Sequence, residues 1–199
     1  MAEERTKEEW LKLWGVTEYR DTPDGVDVDG DVTIRGVKGN LPVRFNVVKG
    51  NFQARFCFLQ SWTNFPSIIT GDMDASHNSF KNFEGHRTKV GGNFIVHSNR
   101  ELSAFTGIQR EINGDLDISN CKFSLLASFP EKIGGSLFAS KNTFSSLNTS
   151  QTIEIVGDAD FSSNKIITED VRIKVGKKLD LSDNPINPDD DLKEKANWS

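Results

Sequence analysis

Three pairs of carboxylates, Asp72 with Asp74, Asp115 with Asp117 and Asp158 with Asp160, are each separated by one residue, a spacing that could do chemistry. Carboxylates two apart on a strand stand roughly 7 Å from each other, the separation an inverting glycoside hydrolase uses for its acid and base. Such a pair works only if burial or a neighbour pushes the two titrations apart. Here the same pair recurs along the chain, which points to solvated carboxylates on a regular surface, and no catalytic residue is expected. His77, His86 and His97 suggest zinc, but they occupy unrelated places, His86 in a turn, and neither cysteine is positioned to join them. No metal or cofactor is expected. None of the glycines opens a strand-to-helix turn followed by a Lys-Ser or Lys-Thr pair, so a phosphate loop is excluded as well.

A repeat positions these side chains. Gly30, Gly50, Gly71, Gly92, Gly114, Gly135 and Gly157 follow one another at 20, 21, 21, 22, 21 and 22 residues, and Lys177 takes the eighth place after 20 more. A period of this length means one supersecondary unit stacked many times. Two residues before each glycine stands a β-branched aliphatic, from Val28 and Val48 to Ile155 and Val175. The second and fourth residues after it are apolar throughout, as in Val32 and Ile34, Phe94 and Val96, or Leu116 and Ile118. Side chains alternate faces along a strand, so these columns point inward, and each repeat is expected to supply one short strand to a single curved parallel sheet. Seven after the glycine come Asn78, Asn99, Asn142, Asn164 and Asn184, with Cys57 and Cys121 in the same column. Apolar residues follow at the ninth and twelfth places, one position late in the fourth repeat, at Leu102 and Phe105. A stacked Asn amide can satisfy the buried turn's backbone groups, and a thiol tolerates burial with weaker hydrogen bonding. The two cysteines are three repeats apart, about 14 Å, so they are expected to be free thiols.

The outward columns form the candidate binding surface. One after the glycine stand Asp72, Asp115 and Asp158; three after it stand Asp74, Ile95, Asp117, Phe138 and Asp160; five after it stand Arg35, Arg55 and His97. The face is basic at the first repeats and acidic through the middle and end. A carboxylate ladder can meet a basic protein or imitate a nucleic-acid backbone, or it can simply keep a sheet soluble. Ile95 and Phe138 interrupt the polar column as apolar anchors. Folding places no evident demand on one charge type here, so these residues are expected to bind a partner.

The segments Leu137-Phe138-Ala139-Ser140-Lys141-Asn142-Thr143-Phe144 and Leu179-Asp180-Leu181-Ser182-Asp183-Asn184-Pro185-Ile186 resemble the strand-and-turn half of leucine-rich repeats. With Val90-Gly91-Gly92-Asn93-Phe94, Asn82-Phe83-Glu84-Gly85, the lead-in at 24–32 and Val43-Arg44-Phe45, residues 20 to 187 are similar to short leucine-rich-repeat proteins of tailed bacteriophages. The resemblance implies a leucine-rich-repeat solenoid with an irregular convex side, and it supplies no catalytic residues. It also implies a host-directed role in the bacterial cytoplasm, such as inhibition of a defence or nucleic-acid-processing enzyme.

The 199 residues are 36% hydrophobic and 27% charged, with net charge −5, enough for one elongated domain. Three parts are expected: a capping helix over 1–20, the solenoid of seven to eight repeats over 21–187, and a terminal cap over 188–199. Thr6-Lys7-Glu8-Glu9 reads as a capping box before Trp10, Leu11 and Trp14. Trp10, Trp14 and Trp198 could alternatively contact a second protomer. No apolar run is long enough to span a membrane, and no signal peptide opens the chain. Three classes of function stand: a non-enzymatic inhibitor that binds a basic or nucleic-acid-binding host or phage protein, a structural or virion-associated protein that self-associates, and a carbohydrate-active parallel β-helix. Direct nucleic-acid binding is not expected from the net charge.

Overall fold

The computed structural model describes residues 5–167 and 173–186, and shows a parallel β-solenoid of about seven turns with one helix among them. Each coil supplies a short strand after its glycine: Val32–Thr33, Phe52–Gln53, Met73–Asp74, Phe94–Ile95, Leu116–Asp117, Leu137–Phe138, Ala159–Asp160 and Leu179–Asp180. These pair in parallel and in register, Val32 on Phe52 and so on to Ala159 on Leu179, as one eight-stranded sheet. The inward columns fill the interior, with Phe52, Phe94, Phe123, Phe144 and Phe161 fully buried.

The sheet is not single, as expected from the sequence. A second parallel strand precedes each glycine. Gly25–Val28, Phe45–Val48, Ile68–Ile69 and Lys89–Val90 form one run, joined at its outer edge by the antiparallel Tyr19–Thr22. Glu111–Ile112, Lys132–Ile133, Ile153–Ile155 and Ile173–Val175 form another. The β-branched column two before the glycine is buried here, and its backbone groups need partners as much as those of the other strand. Each coil thus gives two strands, and a third line of backbone bonds, among them the parallel bridge of Gly39 with Leu59 and Thr143 N–H to Phe123 O, stacks the far side of the coils. The break between the two runs coincides with the extra residue of the fourth repeat. There the Val90 N–H donates to Gln109 Oε1 at 3.1 Å in place of a ladder bond.

The glycine column marks the corner between the two strands, and its cause is close approach. A Cβ on Gly50 would stand 2.6 Å from Asp31 Oδ1 and from the Gly30 carbonyl. The same contact recurs for Gly71 against Asn51, Gly92 against Asp72, Gly114 against Asn93 and Gly135 against Asp115. Each of those side chains reaches over the glycine of the next coil to accept the N–H that follows it.

The asparagine column behaves as a ladder. The Asn142 amide nitrogen donates to the carbonyls of Ile118 at 2.9 Å and Ala139 at 3.1 Å, and its oxygen accepts the Phe123 N–H at 3.1 Å. Asn78, Asn99, Asn164 and Asn184 repeat the pattern, each accepting from the apolar residue nine after the preceding coil's glycine. Cys57 and Cys121 are free, and each thiol faces carbonyls, Cys57 Sγ at 3.1 Å from Arg55 O and Cys121 Sγ at 3.5 Å from Val96 O. A thiol suffices because the N–H an asparagine would accept is already taken. In the coil before Cys57, Gly39 N–H donates to Phe58 O; in the coil before Cys121, Leu102 N–H donates to Asn99 O.

At the amino end the helix Lys7–Leu13 starts from a capping box of Thr6 and Glu9. It lays Leu11 and Trp14 on the first coil, where Trp14 packs against Phe45 and its indole N–H donates to the Arg35 carbonyl at 3.0 Å. The expected carboxy-terminal cap and Trp198 lie outside the described residues.

Candidate functional site

The outward residues of the eight-stranded sheet form one row in register: Gln53, Asp74, Ile95, Asp117, Phe138, Asp160 and Asp180. Acid and apolar side chains alternate from Asp74 to Asp160. Neighbours in the row are one strand spacing apart, about 4.8 Å, so successive carboxylates are separated by about 10 Å with an apolar side chain between them. Ile95 is half-buried, and Phe138 keeps 40% of its surface exposed.

Each aspartate in this row also has a backbone role. Asp74, Asp117, Asp160 and Asp180 accept from the N–H two residues on, at Ser76, Ser119, Ser162 and Ser182, with distances of 2.8–3.0 Å. These bonds turn the chain out of the strand, as an Asx turn does. The neighbouring column is engaged in the same way: Asp72 accepts from Asn93 N–H, Asp115 from Ser136 N–H at 2.7 Å, and Asp158 from Lys178 N–H at 2.9 Å. The fold therefore uses these side chains as hydrogen-bond acceptors, a role the sequence does not display. The fold uses one oxygen of each; it does not dictate the negative charge, because Asn51, Asn93 and Ser136 accept equally well in the same column. The recurring carboxylate pairs are thus a product of the corner geometry.

The charge is uneven along the row. Asp74 lies 3.4 Å from Arg55 Nε, and Asp180 lies 3.0 Å from Lys178 Nζ. The Ser182 N–H and hydroxyl, with Lys178, pull the Asp180 carboxyl down to about 2. Among the described residues no cation pairs with Asp117 or Asp160, the two carboxylates beside Phe138. Asp115 and Asp158 stand two residues earlier on the same coils. Four carboxylates therefore surround an exposed phenyl ring, and this is the part of the expected surface that the structure brings together.

Arg35, Arg55 and His97 sit elsewhere, at the corner past the strand. Arg55 joins the row only through Asp74, while Arg35 is exposed on the first coil. His97 turns toward its own corner, Nδ1 lying 3.1 Å from Ser98 Oγ and its ring meeting that of His77 at 4.9 Å. Among the described residues no three His, Cys, Asp or Glu side chains group closely enough to hold a metal ion.

His86, which the sequence suggests lies in a turn, is buried in the core. It stands in a core column with Phe45, Phe65 and Phe129, fifteen residues after the glycine, and only 6% of it is exposed. Its ring stacks on Phe94 at 5.3 Å and meets Trp62 edge-on at 4.8 Å, while Nε2 has no hydrogen-bond partner. Burial pushes its pKa down to about 4. The signal was the column itself, which also holds Phe45, Phe65 and Phe129. No helix among the described residues is long and apolar enough to cross a membrane. A scan against family models finds no match for this chain, and comparisons with curated proteins and solved structures find none either.

Proposed function

We propose that this chain is a non-enzymatic binding module that holds a basic protein on the row Asp117, Phe138 and Asp160. The observation that carries the reading is an exposed aromatic ring between two carboxylates that have no cation beside them among the described residues. Asparagine would serve each corner equally well, so the retained charge fits a cationic ligand better than it fits folding alone. Phe138 supplies desolvated contact area, and the ring of carboxylates steers a cationic patch onto it.

We infer further that the solenoid is of the leucine-rich-repeat type found in short phage proteins, acting in the bacterial cytoplasm on a host defence or nucleic-acid-processing enzyme. The repeat length and the asparagine ladder support that type. The test is capture from bacterial lysate on the immobilised chain, read by mass spectrometry beside a chain carrying Asp117→Asn, Phe138→Ser and Asp160→Asn. The proposal expects one basic protein retained by the first and lost by the second. Equal retention by both chains would move the site off this row.

A further inference from the structure

Past the eight-stranded sheet each coil turns a corner at the sixth residue after its glycine. Gly36, Phe56, His77, Ser98, Asn120, Lys141, Ser163 and Asp183 all take φ values between 53° and 71° there. The sixth and eighth residues flank the seventh, which is buried in most coils, and both emerge on the same edge of the solenoid. Backbone bonds such as Phe56 N–H to Ser76 O and Lys141 N–H to Ser162 O keep the corners stacked in register.

Six of the chain's 24 lysines and arginines line this edge. Lys38, Arg55, Arg100, Lys122, Lys141 and Lys165 come from six different coils, and His77 occupies the coil between those of Arg55 and Arg100. At about 4.8 Å per coil the line runs for about 29 Å. Among the described residues two of the cations have carboxylates beside them, Asp74 at 3.4 Å from Arg55 and Glu101 at 3.4 Å from Lys122. Such exposed pairs contribute little and exchange readily for another anion.

At one end of the line two phenylalanines face water. Phe56 is 61% exposed and Phe58 62% exposed, and both sit at positive φ, 54° and 51°. Bulky side chains are uncommon in that region, and no other coil places an apolar side chain at the corner that Phe56 occupies. Nothing in the packing asks for a ring there. His77 stacks on Phe56 with centroids 4.1 Å apart, Arg55 lies over the Phe56 ring at 5.6 Å, and Lys38 lies over Phe58 at 6.0 Å.

We propose that this edge binds single-stranded nucleic acid, with bases stacking on Phe56 and Phe58 and phosphates following the line of cations. Flat exposed rings beside a linear basic track are what a strand with unpaired bases requires, since every base offers a π-face whatever the sequence. An acidic peptide would need the cations but has no use for the rings. The site is separate from the row around Phe138, and its failure would leave the protein-binding reading untouched.

The test is fluorescence anisotropy of the full chain with a labelled oligothymidylate about twenty nucleotides long, in about 50 mM NaCl. Saturable binding is expected, weakening at least tenfold by about 200 mM NaCl as phosphate contacts are screened. Phe56→Ala with Phe58→Ala is expected to weaken binding at least tenfold with an unchanged melting temperature, since both rings are exposed. Lys122→Glu with Lys141→Glu is expected to weaken it and to flatten its salt dependence. Poly-glutamate of matched length is expected not to displace the oligonucleotide. The proposal is overturned if the oligonucleotide shows no saturable binding at low salt, or if the phenylalanine variant binds as the parent does. Displacement by poly-glutamate would overturn it too and assign the edge to an acidic protein.

Discussion

Asn142 ties its own coil to the preceding one through one amide: it donates to Ile118 and Ala139 and accepts from Phe123. Replacing it by alanine leaves buried backbone groups unpaired, and Asn142→Ala is expected to lower stability by about 1–3 kcal/mol in chemical denaturation. Ser140→Ala, on the outer face nearby, is expected to cost a few tenths at most, about what a surface change does. Equal effects would remove the ladder as a source of stability. The cysteines give the complementary case. Cys121→Asn brings that position to the pattern of its column, yet no N–H waits for the new oxygen because Leu102 N–H already donates to Asn99 O. The melting temperature is expected not to rise; a clear increase would show that the thiol leaves an N–H unserved. His86 makes stability depend on pH. Its folded pKa is about 4, below the usual value of 6.5, so the unfolded chain binds its proton first as pH falls. The resulting loss begins near pH 6.5, is complete near pH 4, and amounts to about 3 kcal/mol. In His86→Phe that part of the acid dependence is expected to vanish, read as the difference between the two stability curves.

The coil was largely legible because its columns are single-purpose. Inward places at the second and fourth residues show one apolar type after another, and the asparagine column repeats one amide. The second sheet was missed for a physical reason: a lone aliphatic two before each glycine marks burial but does not distinguish a strand from a turn. The corner was also misread. Asp72 and its column look like a surface ladder in sequence, whereas their hydrogen bonds cross to the next coil and cannot be seen along the chain. Glycine and aspartate form one device there, since the glycine makes room for the side chain reaching over it. Gly92→Ala is therefore expected to destabilise the fold by about 1–3 kcal/mol through overpacking against Asp72. Adding Asp72→Ala is expected to relieve part of that loss, which denaturation of the single and double variants measures. Independent, additive losses would show that the two do not share the corner.

Stacking brings side chains of like charge from successive coils into two lines. Carboxylates gather around Phe138 on the strand face, and cations line the corner beyond it. Which outward residues bind a partner was only half legible in the sequence, because the same aspartates also close the corners. Charge is thus separable from fold only by a substitution that keeps the acceptor oxygen. Asp117→Asn with Asp160→Asn does so, and is expected to leave the melting temperature unchanged where reversal to lysine would also remove the bonds to Ser119 and Ser162. The most direct measurement is the binding kinetics of the captured partner on this variant and on Phe138→Ser, at low and high salt. The asparagine variant is expected to associate about tenfold more slowly at low salt with an almost unchanged dissociation rate. Phe138→Ser is expected to dissociate faster with little change in association. Rates that match the parent chain for both variants would contradict the assignment of this row as the binding surface.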